Sequence, residues 1–140
     1  MSRLRSALAL ALALSAPVVV AGCGGPLTLA VQGTQRDPGA EGRLQVETVA
    51  GGNHLLNLSV RYLTPPERLG DGNTVFMVWI RQPSGSTALA SQLGYDPDAR
   101  EGTATITTPL QRFTLLVTAE RTALTTAPGE FVVLSEDVQF

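Results

Sequence analysis

The chain has 140 residues, 44% of them hydrophobic, with ten basic and twelve acidic side chains and a formal net charge of −2. Every basic residue is arginine, and none cluster, so the composition argues against nucleic-acid binding and against electrostatic adsorption to anionic lipid. A single cysteine and a single histidine exclude an internal disulfide and a zinc site built from Cys and His ligands.

In chain order, Arg3 and Arg5 form a short positive segment, Ala7 to Val20 is a 14-residue apolar run, and small residues follow at 21 and 22. That three-part pattern predicts an export leader. A spanning helix needs about 20 apolar residues. This run is shorter, contains Pro17, and ends in Gly22, Gly24, Gly25 and Pro26. The stretch Val20-Ala21-Gly22-Cys23 resembles the lipobox of bacterial lipoproteins, in which the cysteine is lipidated and becomes the first mature residue. The resemblance implies a cleaved signal peptide over 1–22, a lipid on Cys23, a short linker over 23–26 and a domain over 27–140. An ordinary signal peptide with a cysteine near the cut is the alternative. Lipoproteins of this kind carry two or three acyl chains, which implies lasting attachment, since one chain binds only reversibly. Gly24, Gly25 and Pro26 follow Cys23 with no acidic residue among them, which in that family leans towards the outer rather than the inner membrane of the cell envelope.

Removal of 22 residues leaves 118, with eight Arg against twelve acidic residues, a formal −4. A chain of this length forms one domain and buries enough surface to fold without metal or disulfide. Leu27, Leu29 and Val31 alternate with polar or small residues and predict a strand. Gln35 to Gly42 is a turn by its Asp37-Pro38-Gly39 chemistry. Arg43 to Val49 is a second strand, with Leu44, Val46 and Thr48 inward. Gly51-Gly52-Asn53 is a hairpin connection into a third strand, with Leu56, Leu58, Val60 and Tyr62 inward. Thr64-Pro65-Pro66 ends it, and Glu67 to Asn73 is a loop.

Val75 to Ile80, reading VFMVWI, is apolar on both faces and suits a central strand covered on both sides, with Trp79 expected at the centre of the core. Pro83 to Ser86 is a turn. Ala88 to Leu93 is a strand or a helical turn. Gly94 to Gly102 is a loop. Thr103 to Thr108 is a strand with Ala104 and Ile106 inward. In the next strand Phe113, Leu115, Val117 and Ala119 face inward, while Arg112, Thr114, Thr118 and Glu120 face outward. Phe131 to Leu134 is the final strand. Seven or eight short strands without helical periodicity predict an all-β antiparallel sandwich.

The segments MVWI at 77–80, LG at 93–94, FTLLVTAE at 113–120 and PGEFVVL at 128–134 are together similar to the extracytoplasmic C-terminal domain of anti-sigma-K factors. That family usually has Pro after the Glu, where Arg121 stands here, and the chain has no room for its sigma-binding and spanning helices. The resemblance implies an immunoglobulin-like β-sandwich and an envelope location, and does not extend to sigma-factor inhibition.

His54 is the lone candidate base for a Ser-His-Asp triad, but no Gly-x-Ser-x-Gly elbow accompanies it, and its position predicts a solvated turn histidine. Asp96, Asp98 and Glu101 are the densest acidic cluster. Their oxygens suit calcium, and the same residues are ordinary turn formers, so both readings stand. The expectation is therefore no catalytic residue, no cofactor, no resident metal, and Cys23 as the one modified site. The chain is expected to be a lipid-anchored envelope protein with a binding or scaffolding domain and a protein partner. A sensory module is the alternative, and a hydrolase with unrecognised residues a third reading.

Overall fold

The structure, a computed structural model, describes residues 25–140. The leader and Cys23 lie outside the described residues. Nine strands form two antiparallel sheets: β1 (Leu27–Gln32), β2 (Glu41–Val49), β3 (Asn53–Arg61), β4 (Val75–Arg81), β5 (Thr87–Gln92), β6 (Gly94–Asp96), β7 (Glu101–Thr108), β8 (Arg112–Glu120) and β9 (Val132–Gln139). One sheet runs β1-β2-β3-β7-β6 and the other β5-β4-β8-β9. Strands β2-β3-β7-β6 facing β5-β4-β8-β9 reproduce the A-B-E-D against C′-C-F-G arrangement of an immunoglobulin sandwich, with β1 as an added edge. Among the described residues no helix is long and apolar enough to cross a membrane.

Period-two alternation decides what faces inward. Leu44, Val46, Leu56, Leu58, Val60, Ala104, Ile106, Phe113, Leu115, Val117 and Ala119 are all buried in one core with Phe76, Val78 and Ile80 of β4. A one-residue slip would turn these side chains to water, so burial fixes the register. The β2–β3 hairpin turns through Gly51 and Gly52 at φ 80° and 75°, a region that glycine enters without a Cβ penalty. Beyond β1, Gly33 makes an isolated antiparallel bridge with Leu134, and the Thr34 N–H donates to Val133 O at 2.9 Å. The first strand of one sheet is thus sewn to the last strand of the other.

Several expectations change. The strands number nine because residues 94–102, expected as a loop, hold β6 and the start of β7. Residues 87–92 are the strand β5, settling the open choice there. Pro66–Leu69 forms a single helical turn inside the expected loop. Strand β9 runs five residues past Leu134, because β8 offers a matching row of partners from Ser135↔Leu116 to Gln139↔Arg112. Thr48 is exposed near the end of β2. Tyr62 is 49% exposed, because its φ of 58° takes it out of the strand and breaks the alternation.

Trp79 is fully buried, but on the far side of β4 from the main core. It packs with Met77 and Leu116, flanked by Val75 and Val132, in a second small cluster. An unbroken apolar run carries no alternation to say which face is which. The last part of the outward row of β8 is buried too: Thr118 is 0% and Glu120 9% exposed, while Arg112 is exposed and Thr114 half-buried.

Candidate functional site

The sandwich has two ends, and the connections divide between them. The ladder places Leu27, Val49, Asn53, Thr108, Arg112, Arg81, Thr87 and Gln139 at one end. Gly25 and Pro26 enter there. At the opposite end lie the loops 33–40, 62–74, 97–100 and 121–131.

Those four loops are held to one another by hydrogen bonds that start from two residues in the left-handed region, Tyr62 (φ 58°) and Arg100 (φ 55°). The Leu63 N–H donates to Arg100 O at 3.0 Å. In return, Arg100 Nη2 donates to Tyr62 O at 3.1 Å and Nε to Leu63 O at 3.2 Å. Tyr95 Oη donates to the same Leu63 carbonyl at 3.1 Å. Burial of Tyr95, which outweighs the opposing pull of the Arg100 guanidinium, raises its phenol above the ordinary value. Two non-glycine residues at positive φ are uncommon and cost energy, so they persist only where surrounding bonds over-determine them.

The next residue, Thr64, ties this node to the first loop. Its N–H donates to Asp37 Oδ2 and its hydroxyl to Asp37 Oδ1, both at 2.9 Å. Asp37 is buried, and two donors on its carboxylate make that burial tolerable. Arg36 stacks over the Phe131 ring at 4.9 Å, joining the first loop to the last. Thr74 donates its N–H to Glu120 O and its hydroxyl to Arg121 O, both at 2.8 Å.

A third set lies on the outer face of β4 and β8. Trp79 Nε1 donates to Thr118 Oγ1 at 2.8 Å, and Thr118 Oγ1 donates to Glu120 Oε1 at 2.7 Å. The Gly129 N–H donates to the same carboxylate oxygen at 2.7 Å. The 121–131 loop therefore folds back, and that return places Thr118 and Glu120 indoors against expectation. The loop carries Leu124, 87% exposed, and Tyr62 stands exposed at the same end with Arg61 over its ring at 5.0 Å. This end thus presents loops braced by hydrogen bonds, charged side chains, and a few apolar side chains in water.

His54 is not the solvated turn residue expected. It is 5% exposed, lies edge-on to the Phe140 ring at 4.4 Å, and faces Thr48 Oγ1 through Nδ1 at 3.4 Å. Its Nε2 has no hydrogen-bond partner among the described residues. Phe140 also meets Phe113 edge-on at 6.3 Å. The partner that buries His54 comes from the far end of β9, which local spacing could not foretell.

The acidic loop divides its members. Asp96 Oδ1 accepts from the Asp98 and Ala99 N–H groups, an Asx turn, and Glu101 lies 3.9 Å from Arg61. Among the described residues no three His, Cys, Asp or Glu side chains converge as a metal site would require. The Asx turn thus accounts for the Asp96 carboxylate, while Asp98 contributes its backbone N–H. The bonds that join Arg100, Tyr95, Thr64 and Asp37 escaped the sequence reading because the partners are distant in sequence. Thr118 and Glu120 were readable in principle, since pairing β8 with β4 brings a hydroxyl beside the indole.

Comparison with protein-family models, curated proteins and solved structures finds no match to this chain.

Proposed function

We propose that this chain is a lipid-anchored envelope protein, tethered through Cys23, whose β-sandwich binds or scaffolds another envelope component and does not catalyse a reaction. The leader pattern and its small-small-Cys ending support the anchor. The observation that carries the binding role is the braced loop end. Four loops are locked together by Arg100, Tyr95, Thr64, Asp37 and Glu120, at the end opposite Gly25. Rigid loops on a sandwich lose little entropy when a partner docks, which favours recognition. The outer membrane is the proposed site, because no acidic residue stands immediately after Cys23.

The experiment is metabolic labelling with a fatty-acid probe in a bacterial host, comparing wild type with Cys23→Ala, followed by membrane fractionation and cross-linked pull-down. Label and outer-membrane recovery that vanish in the variant, with a reproducible partner in the wild type, are the expected result. Equal labelling in both would end the anchor. A lipidated protein without a reproducible partner would end the binding role.

The second reading is a sensory or regulatory module. It is favoured by the order in which MVWI, Leu93-Gly94, FTLLVTAE and PGEFVVL fall on β4, the β5–β6 crossing, β8 and the approach to β9. A deletion strain with unchanged envelope-stress expression would remove it.

A further inference from the structure

The two ends of the sandwich differ in charge as sharply as in connectivity. At the end where Gly25 enters, the connections Ala50-Gly51-Gly52, Gln82-Pro83-Ser84-Gly85-Ser86 and Pro109-Leu110-Gln111 hold no ionisable side chain. At the far end, the loops hold Arg36, Asp37, Glu67, Arg68, Asp71, Asp98, Arg100, Arg121 and Glu130. This end also exposes apolar residues, as the far end does at Leu124 and Tyr62: Leu27 and Val49 are 41% and 37% exposed, and Pro26, Ala50, Pro83 and Pro109 are exposed as well. Arg81 and Arg112 stand at the strand ends beside these connections, both exposed, and Glu47 and Asp137 lie further along their strands.

Two features say what covers this end. Cys23 is two residues before Gly25, and two residues of chain reach at most about 7 Å. An acyl chain on Cys23 therefore brings this end, and no other, to the lipid headgroups. A surface pressed into the headgroup layer loses water, which is costly for charged groups and cheap for glycine, proline and small apolar side chains.

We infer that the end whose connections carry no charge rests on the lipid surface, with Arg81 and Arg112 at headgroup level, so that the domain stands upright with its braced loops facing away from the membrane. This rests on the proposed lipidation of Cys23. The neutral end is a foot, and the anchor chain is too short to let the domain swing freely over it.

The test uses the full lipidated protein reconstituted in phosphatidylethanolamine–phosphatidylglycerol vesicles containing a headgroup-spin-labelled lipid as quencher. Fluorophores go on single introduced cysteines, Ser84→Cys or Gln111→Cys at the foot and Asp71→Cys or Asp98→Cys at the far end. Lipidation of Cys23 leaves the introduced thiol as the reactive one. Quenching several-fold stronger at 84 and 111 than at 71 and 98 is the expected result, and equal quenching at all four positions overturns the upright posture. A second protein carries Ser84→Asp and Gln111→Asp with the fluorophore on Ala50→Cys. Its quenching should fall by half or more while its circular dichroism and lipidation are unchanged; undiminished quenching overturns the role of the neutral loops. Mass spectrometry of the mature amino terminus separates the two ideas. An unmodified Cys23 overturns both anchor and posture, whereas lipidated protein with uniform quenching overturns the posture alone.

Discussion

Replacing Thr118 with valine keeps the shape of a fully buried side chain and deletes one oxygen. That oxygen accepts from Trp79 Nε1 and donates to Glu120 Oε1. Without it the indole N–H has lost its acceptor, and Glu120 Oε1 retains the Gly129 N–H. An orphaned buried donor costs about 1–3 kcal/mol, and a hydrogen bond to a charged group contributes about 1.5–3 kcal/mol. The methyl that replaces the hydroxyl returns about 0.8 kcal/mol of apolar burial. Thr118→Val should therefore cost about 2–5 kcal/mol, out of a total stability of about 5–15 kcal/mol. For a domain of this length, about 4 °C of Tm accompanies each kcal/mol, so melting followed by far-ultraviolet circular dichroism should fall by about 8–20 °C. A cycle with Trp79→Phe isolates the pair, and the double variant should fall short of additivity by about 1–3 kcal/mol. A Thr118→Val loss under about 0.5 kcal/mol, or strict additivity, would refute the claim that this buried chain of hydrogen bonds holds the 121–131 loop.

Three further outcomes follow from the packing. A Cβ on Gly33 would run into the backbone carbonyls of Asp37 and Ala40, so Gly33→Ala should cost about 1–3 kcal/mol or block folding; an unchanged melting curve would contradict the geometry. His54→Phe removes the unpartnered Nε2 and keeps an aromatic edge against Phe140, so stability should hold or rise within about 1 kcal/mol, and a loss above about 2 kcal/mol in denaturant titration would show that the imidazole has a role the packing does not reveal. Tyr95 is held neutral in the fold and ionises more readily in the unfolded chain, so the native state binds more protons and stability falls as pH rises. That contribution is intact below the ordinary phenol value of about 10 and is lost as pH climbs through the raised folded value. Tyr95→Phe should flatten the decline of Tm above pH 10, and a variant with the wild-type slope would place the titration elsewhere.

The inward rows of β2, β3, β7 and β8 were legible because alternation is a local signal, and Leu44, Leu58, Ile106 and Val117 all lie where it put them. Burial on both faces of β4 was legible because VFMVWI is apolar throughout. The face that Trp79 takes was not, because VFMVWI has no polar residue to mark an outside. Thr118 and Glu120 read as solvated residues because the strand they sit on is silent about the loop that returns over them. His54 and Arg100 failed in one way: the atoms that define their surroundings come from β9 and from the 62–64 segment, which spacing cannot bring near. Asp37 was read correctly as a turn residue, and its second role, holding Thr64, is tertiary. Cys23 was the clearest signal in the sequence and lies outside the described residues.

Gly33 bridges Leu134 across roughly 100 residues of chain, and closing so long a loop consumes entropy before any contact rewards it. A polypeptide emerging amino end first therefore has β1 and β2 in place with their seam open until residues 132–140 arrive. Closure of that seam therefore comes late in assembly. A stalled or clipped product would keep a frayed rim on both sheets at once, and quality-control proteases would meet that rim before any partner did.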